Sequence, residues 1–194
     1  MVPPLAQEHA QVLLLSNTKG AMAHMPPTYV TTTDIFAPPA VNTVIGHGVN
    51  TRGLMGAGFA ALIARRFPDV KRVYVQACND GNLMAGMAQV VPVDAVLSVA
   101  NIASQVNPGA DATVENLRAG MNDLYRQAAL VNVPVHVRLP LIGAGIGGID
   151  PIVAAHTILA AAVKAPSNVE TSLHLLPSDA HTDAVMAYYH AWVK

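Results

Sequence analysis

At 194 residues, 52% hydrophobic and 12% charged, the chain can fill the core of one domain and is too apolar to be largely disordered. A formal net charge of -1 without a long basic run argues against a nucleic-acid groove built on charge. The single Cys78 excludes an intrachain disulfide and a cysteine-based zinc site, and suits a reducing compartment; the expected location is the cytoplasm, or the host cytoplasm for a viral protein.

Residues 1–27 hold one apolar run, Val12-Leu13-Leu14-Leu15, between Pro3-Pro4 and Pro26-Pro27. It is short for a signal segment, and no stretch of the chain approaches the roughly 18 apolar residues of a membrane span. The expectation is a poorly ordered leader or an added edge strand at 11–16, ahead of one domain over 28–194. Residues 28–33 (TYVTTT) are β-branched and aromatic and read as a strand, closed by Asp34 and by Pro38-Pro39. A second strand, 41–46, is followed by a helix at 57–67 with Phe59, Leu62, Ile63 and Phe67 near a 3.6 period. Pro68 stops that helix, and another is expected at 69–78.

Two strands, 88–93 and 95–100, form a candidate hairpin. Asp111 is the expected N-cap of a helix carrying Val114, Leu117, Met121, Leu124 and Ala128 on one stripe. A strand at 133–141 leads to Asp150-Pro151, an N-cap and N1 pair for a helix to about Lys164. Residues 172–176 make the last strand, and Ser178 is expected to cap a final helix with Val185, Tyr188 and Trp192 inward. This alternation predicts an α/β fold: a three-layer α/β/α sandwich around a mixed, mainly parallel sheet.

Two glycine-rich turns stand out. HGVNTRGLMGAGF at 47–59 and GAGIGG at 143–148 each lie between an apolar strand and a helix start. Glycines let the backbone approach an anion, and the first N–H groups of a helix are free to bind it. Neither turn is a Rossmann GxGxxG or a P-loop, so hydride transfer and nucleotide triphosphate hydrolysis lose their fingerprints. Two such turns far apart in sequence suggest two loops closing on one diphosphate.

The order TDIF, then IGHGVNTRGLMGAGFAALIARRFP, then LPLIGAGIGGIDP resembles a macro domain, the ADP-ribose-binding module. It is most like the branch with ADP-ribose 1''-phosphate phosphatases and terminal ADP-ribose-protein hydrolases. The resemblance implies that Asp34, with Ile35 beside it, accepts the adenine amino group. It implies that Thr51, Gly53 and Leu54, with Met55, Gly56, Ala57 and Gly58, form one wrap around the diphosphate. Ile142, Gly143 and Ala144, with Gly145, Ile146, Gly147 and Gly148, would form the other. Asn50 would orient the distal ribose, and His47 at the strand end would act as base.

The resemblance also meets departures. Residues 81–89 (GNLMAGMAQ) contain no lysine, and Gly147 stands where the hydrolase branch carries an acid, so lysine-dependent deacylation is not expected. Three readings remain: an ADP-ribose binder that hydrolyses a 1''-phosphate or ester with His47 and Asn50, a non-catalytic binding module, or a structural α/β protein whose two glycine turns hold nothing. The expected partner is ADP-ribose or an ADP-ribosylated ligand, with nucleic acid only as such a substrate and with no membrane, cofactor or metal. His136, His156, His174, His181 and His190 show no ligand spacing and are read as structural.

Overall fold

The computed structural model describes residues 28–131 and 133–193. The leader or extra strand expected within 1–27 lies outside the described residues.

Six strands form one sheet in the order β1-β6-β5-β2-β4-β3. They are β1 Thr28–Thr31, β2 Asn42–Val49, β3 Ala88–Pro92, β4 Leu97–Ala103, β5 Val135–Leu139 and β6 Val169–His174. Every neighbouring pair is parallel except β3 with β4, the hairpin read from the sequence. Five helices cover it: α1 Gly58–Arg66, α2 Pro68–Asn79, α3 Val114–Ala128, α4 Pro151–Ala162 and α5 Thr182–Trp192. The expected α/β architecture is the observed one.

The pleat of β2 sorts the core. Ile45 packs with Ile63 of α1 and Val70 of α2, whereas Val44 packs with the cluster holding Leu117 and Met121 of α3 and Ile158 of α4. Successive side chains point to opposite faces, so α1 and α2 cover one face and α3 and α4 the other. Gly46 is required on the second face: a Cβ there would lie 2.6 Å from the Leu139 side chain.

β2 is longer than its apolar run. It pairs with β4 as far as Val49 opposite Ala103, but with β5 only to Ile45 opposite Arg138. Backbone pairing with one neighbour therefore carries His47 inside the strand. β6 starts at Val169, ahead of the expected 172, because its pairing with β5 begins there.

Two expected caps are corrected. Thr113, not Asp111, caps α3 by accepting from the Asn116 N–H at 3.1 Å. The Asp111 carboxylate instead accepts from the N–H groups of Val106 and Asn107 and ties up the loop before it. Ser178 does not cap α5, which starts at Thr182 after His181 with no side-chain cap; Asp179 takes the His181 N–H in the turn before it. In α5 the most buried residues are Val185, Tyr189 and Thr182, while Tyr188 and Trp192 pack at the core edge. Asp150 caps α4 as expected, accepting from Ile152 and Val153.

Candidate ligand-binding site

β2 and β5 are neighbours, yet β2 runs into α1 on one face and β5 into α4 on the other. Connections that leave adjacent parallel strands in opposite directions open a crevice beyond the strands' carboxyl ends. Both glycine turns sit at that switch point. They also touch: a Cβ on Gly58 would lie 3.1 Å from the Ile146 side chain, so the second turn closes over the first.

A cavity of about 510 Å³ lies between them, lined by Asn50, Leu54, Gly56, Ala57 and Gly58 from one turn and Ile142, Gly143, Gly145, Ile146 and Gly147 from the other. A second cavity of about 720 Å³ is lined by Asp34, Ile35, Ala144 and Gly145. Phe59, Pro140, Leu141 and Gly145 border both, so the two form one elongated trough.

The first turn is built around Asn50, 6% exposed. Its side-chain Oδ1 accepts from the N–H groups of Arg52 and Leu54, and its side-chain Nδ2 donates to the Leu54 carbonyl at 2.7 Å. The buried Tyr74 hydroxyl donates to the Asn50 carbonyl at 2.8 Å. The Asn50 carboxamide is thus engaged in holding the turn. Beyond it α1 opens with no side-chain cap at Ala57, and its first closing bond is Ala61 N–H to Ala57 O. Among the described residues no hydrogen bond uses the N–H of Gly56, Ala57 or Gly58.

In the second turn the Ile149 N–H donates to Gly143 O, and the Ala112 N–H to Gly147 O. A Cβ on Gly147 would lie 2.7 Å from Gly143 O, so only glycine fits there. Among the described residues the N–H groups of Gly145, Ile146 and Gly147 have no acceptor. Two sets of unspent amides, one at a bare helix start, make a cradle for an anion without any cation.

At the other end Asp34 is exposed at the corner after β1. Its carboxylate accepts from the Phe36 N–H at 2.9 Å, and its carbonyl from the Ala37 N–H. Arg138 of β5, 8% exposed, donates through Nη1 to Ile35 O at 3.3 Å and Ala37 O at 2.5 Å.

His47 is brought elsewhere. The pleat turns it with Ile45 and Val49 toward α1 and α2, fully buried, with its ring 6.2 Å from that of Phe59. Its Nε2 lies 2.8 Å from Asn101 Oδ1, the Asn101 amide donates to Gln89 Oε1, and the Gln89 amide reaches the Val73 carbonyl of α2. This polar row crosses β2, β4 and β3 beneath the helices. Burial pushes the His47 imidazole down to about 4, although its bond to Asn101 acts the other way. The fully buried ring borders neither cavity among the described residues.

Thr51, Met55, Gly53 and Gly148 line neither cavity among the described residues. Thr51 donates both its N–H and its hydroxyl to Val106 O. Met55 is buried with Val49, Tyr74 and Leu83. Gly53, at φ +75, packs on Val75 and Cys78, and Gly148, at φ +82, backs onto Ala110. The sequence reading missed Ser104, Gln105, Pro108 and Gly109, which follow β4 and wall the smaller cavity. The position of this loop depends on β4 lying beside β2. Also missed were His174, Asp179 and His181 around the larger cavity.

The macro domain family model matches residues 47–158, more than half of the chain. The chain belongs to the macro domain family. This macro domain is 31% identical over 105 residues to a DNA ADP-ribosyl glycohydrolase of Mycobacterium tuberculosis, a match covering 53% of this chain and 30% of that protein. It is 25% identical over 127 residues to an ADP-ribose 1''-phosphate phosphatase of Candida albicans, covering 60% and 81% respectively. Among solved structures it resembles the macrodomain of Thermus aquaticus DarG, with a TM-score of 0.66 and 27% identity over 76% of this chain and 97% of that one. The chain thus spans less than a third of the mycobacterial relative's length.

Proposed function

We propose that this macro domain binds ADP-ribose or an ADP-ribosylated ligand, with the pyrophosphate between the two glycine turns and the adenine at the Asp34 corner. The observation that carries this reading is the contact of Ile146 with Gly58, which brings two sets of unspent backbone amides to one cavity. The neighbouring cavity and its carboxylate then suit a base with an exocyclic amino group. Names of relatives that include ADP-ribosyl glycohydrolase and ADP-ribose 1''-phosphate phosphatase support the same ligand class.

Binding is favoured over hydrolysis. Among the described residues the smaller cavity is lined by no lysine, carboxylate or imidazole, and its polar side chains are Asn50, Ser104 and Gln105. General acid–base catalysis needs a titrating group within hydrogen-bond reach of the reacting atoms, and His47 does not border the cavity.

Calorimetric titration with ADP-ribose tests the reading, and micromolar affinity is expected. Ligand at a hundred times its dissociation constant should add about 2.7 kcal/mol of stability. No heat and no thermal shift would overturn it. ADP-ribose 1''-phosphate should bind without releasing phosphate above background; steady turnover would favour the hydrolytic reading instead.

A further inference from the structure

On the α1/α2 side of the sheet, β1, β6 and β5 present a row of polar side chains. His174 of β6 places Nδ1 3.1 Å from the Thr33 carbonyl and Nε2 2.8 Å from Ser172 Oγ. Ser172 Oγ lies 2.7 Å from Nε2 of His136 on β5, which is 3.4 Å from the Tyr29 hydroxyl of β1. One carbonyl fixes the protons along this chain. Thr33 O only accepts, so Nδ1 of His174 carries hydrogen. A neutral ring then accepts at Nε2, so the Ser172 hydroxyl donates to it and receives from Nε2–H of His136.

The neutral state fits the surroundings. Burial depresses both imidazoles, His136 to about 4. The Arg138 charge acts in the same direction on both, Glu170 opposes on His136, and Asp34 opposes on His174.

The chain ends at Thr33, next to Asp34. Arg138 holds the backbone on the far side, at Ile35 and Ala37. Both ring nitrogens of His174 are spent on protein, so although the ring walls the larger cavity it offers a ligand only carbon. We propose that His174 is a positioning residue: it sets the Thr33 carbonyl, and so the Asp34 carboxylate, for the exocyclic amino group of an adenine. This rests on placing adenine at the Asp34 corner, and the test separates the two.

The test compares binding of ADP-ribose with that of its analogue carrying unsubstituted purine, which lacks only the amino group. The native protein should prefer ADP-ribose by about tenfold, the worth of one hydrogen bond to a charged group. His174→Gln, whose amide cannot replace Nδ1, should bring the ratio close to one. His174→Asn places an N–H where Nδ1 stood and should restore most of the preference, a rescue that a purely structural role would not give. Ser172→Ala, a single-hydroxyl truncation, should give an intermediate ratio if the histidine variants fail to fold. Failure of the native protein to bind either compound overturns the ADP-ribose assignment. Equal affinity for both overturns the role of Asp34. A full preference retained in His174→Gln, or in Ser172→Ala where the histidine variants do not fold, overturns the role of His174.

Discussion

Among the described residues none that lines the 510 Å³ cavity carries an ionisable side chain, whereas the 720 Å³ cavity gathers Asp34, His174, Asp179 and His181. In the proposed function the first end works through backbone amides, which do not titrate and cannot be deleted by truncating a side chain. It is vulnerable to added atoms. The second end works through side chains held by other side chains, and is vulnerable to their removal. On that proposal one ligand would be read by two kinds of recognition, each with its own mode of failure.

The largest effect expected from this contrast comes from filling the backbone end. Gly145 has nothing within 4 Å of where its Cβ would stand, so Gly145→Val should fold with a nearly unchanged melting temperature. Its side chain would nevertheless occupy the trough, and ADP-ribose affinity should fall by about a thousandfold, some 4 kcal/mol. Retained affinity in a calorimetric titration would remove the amide cradle from the account. Gly147→Ala should behave differently, losing stability as well, because its Cβ meets Gly143 O at 2.7 Å.

Next in size is the pH dependence of folding. His47 is neutral in the fold with its value pushed down to about 4, below the unfolded value of about 6.5. Between those limits the unfolded chain binds more protons. The contribution is therefore full above about pH 6.5 and is lost as pH falls toward 4, to the extent of roughly 3 kcal/mol for this one fully buried group. His136, also held at about 4, acts in the same direction. Urea melts at pH 7 and 4.5 should show this loss, and His47→Gln should make it smaller. An equal loss in the variant would contradict the buried neutral imidazole.

Side-chain removal at the base end should cost less. Asp34→Ala is expected to weaken ADP-ribose binding about tenfold and to leave the affinity for ribose-linked pyrophosphate without a base unchanged. A loss shared by both ligands would place Asp34 at the phosphates. The smallest change belongs to Arg52. It is exposed and donates through Nε to Asn107 Oδ1, away from the cavity wall. Arg52→Ala should alter affinity by no more than about twofold, in keeping with the low worth of exposed charges. A tenfold drop would show that the phosphate end needs a cation after all.

What the sequence revealed follows the range of the interactions that encode it. The strand–turn–helix units at 42–66 and 135–162 were legible because their determinants are local: β-branched runs, glycines that fit tight turns, and Asp150 capping a helix that starts with proline. The burial of His47 was not legible, because the end of β2 depends on pairing with β4. Once the strand continues to Val49, parity with Ile45 sends the imidazole to the core. Ser104 and Gln105 reach the trough through that same distant pairing, and no local pattern announces it. The His136–Ser172–His174 chain needs the β5–β6 register, with Arg138 opposite Ser172, before its members can be seen as neighbours.

The central claim is that main-chain amides of two remote turns hold the ligand's pyrophosphate. Two-dimensional ¹⁵N–¹H spectra recorded during addition of ADP-ribose test it amide by amide. The account predicts saturable shifts centred on Gly56, Gly58, Gly145, Ile146 and Gly147, with little change around the opposite end of the sheet at Val96 and Val133. Saturable binding that leaves those five amides in place would contradict it.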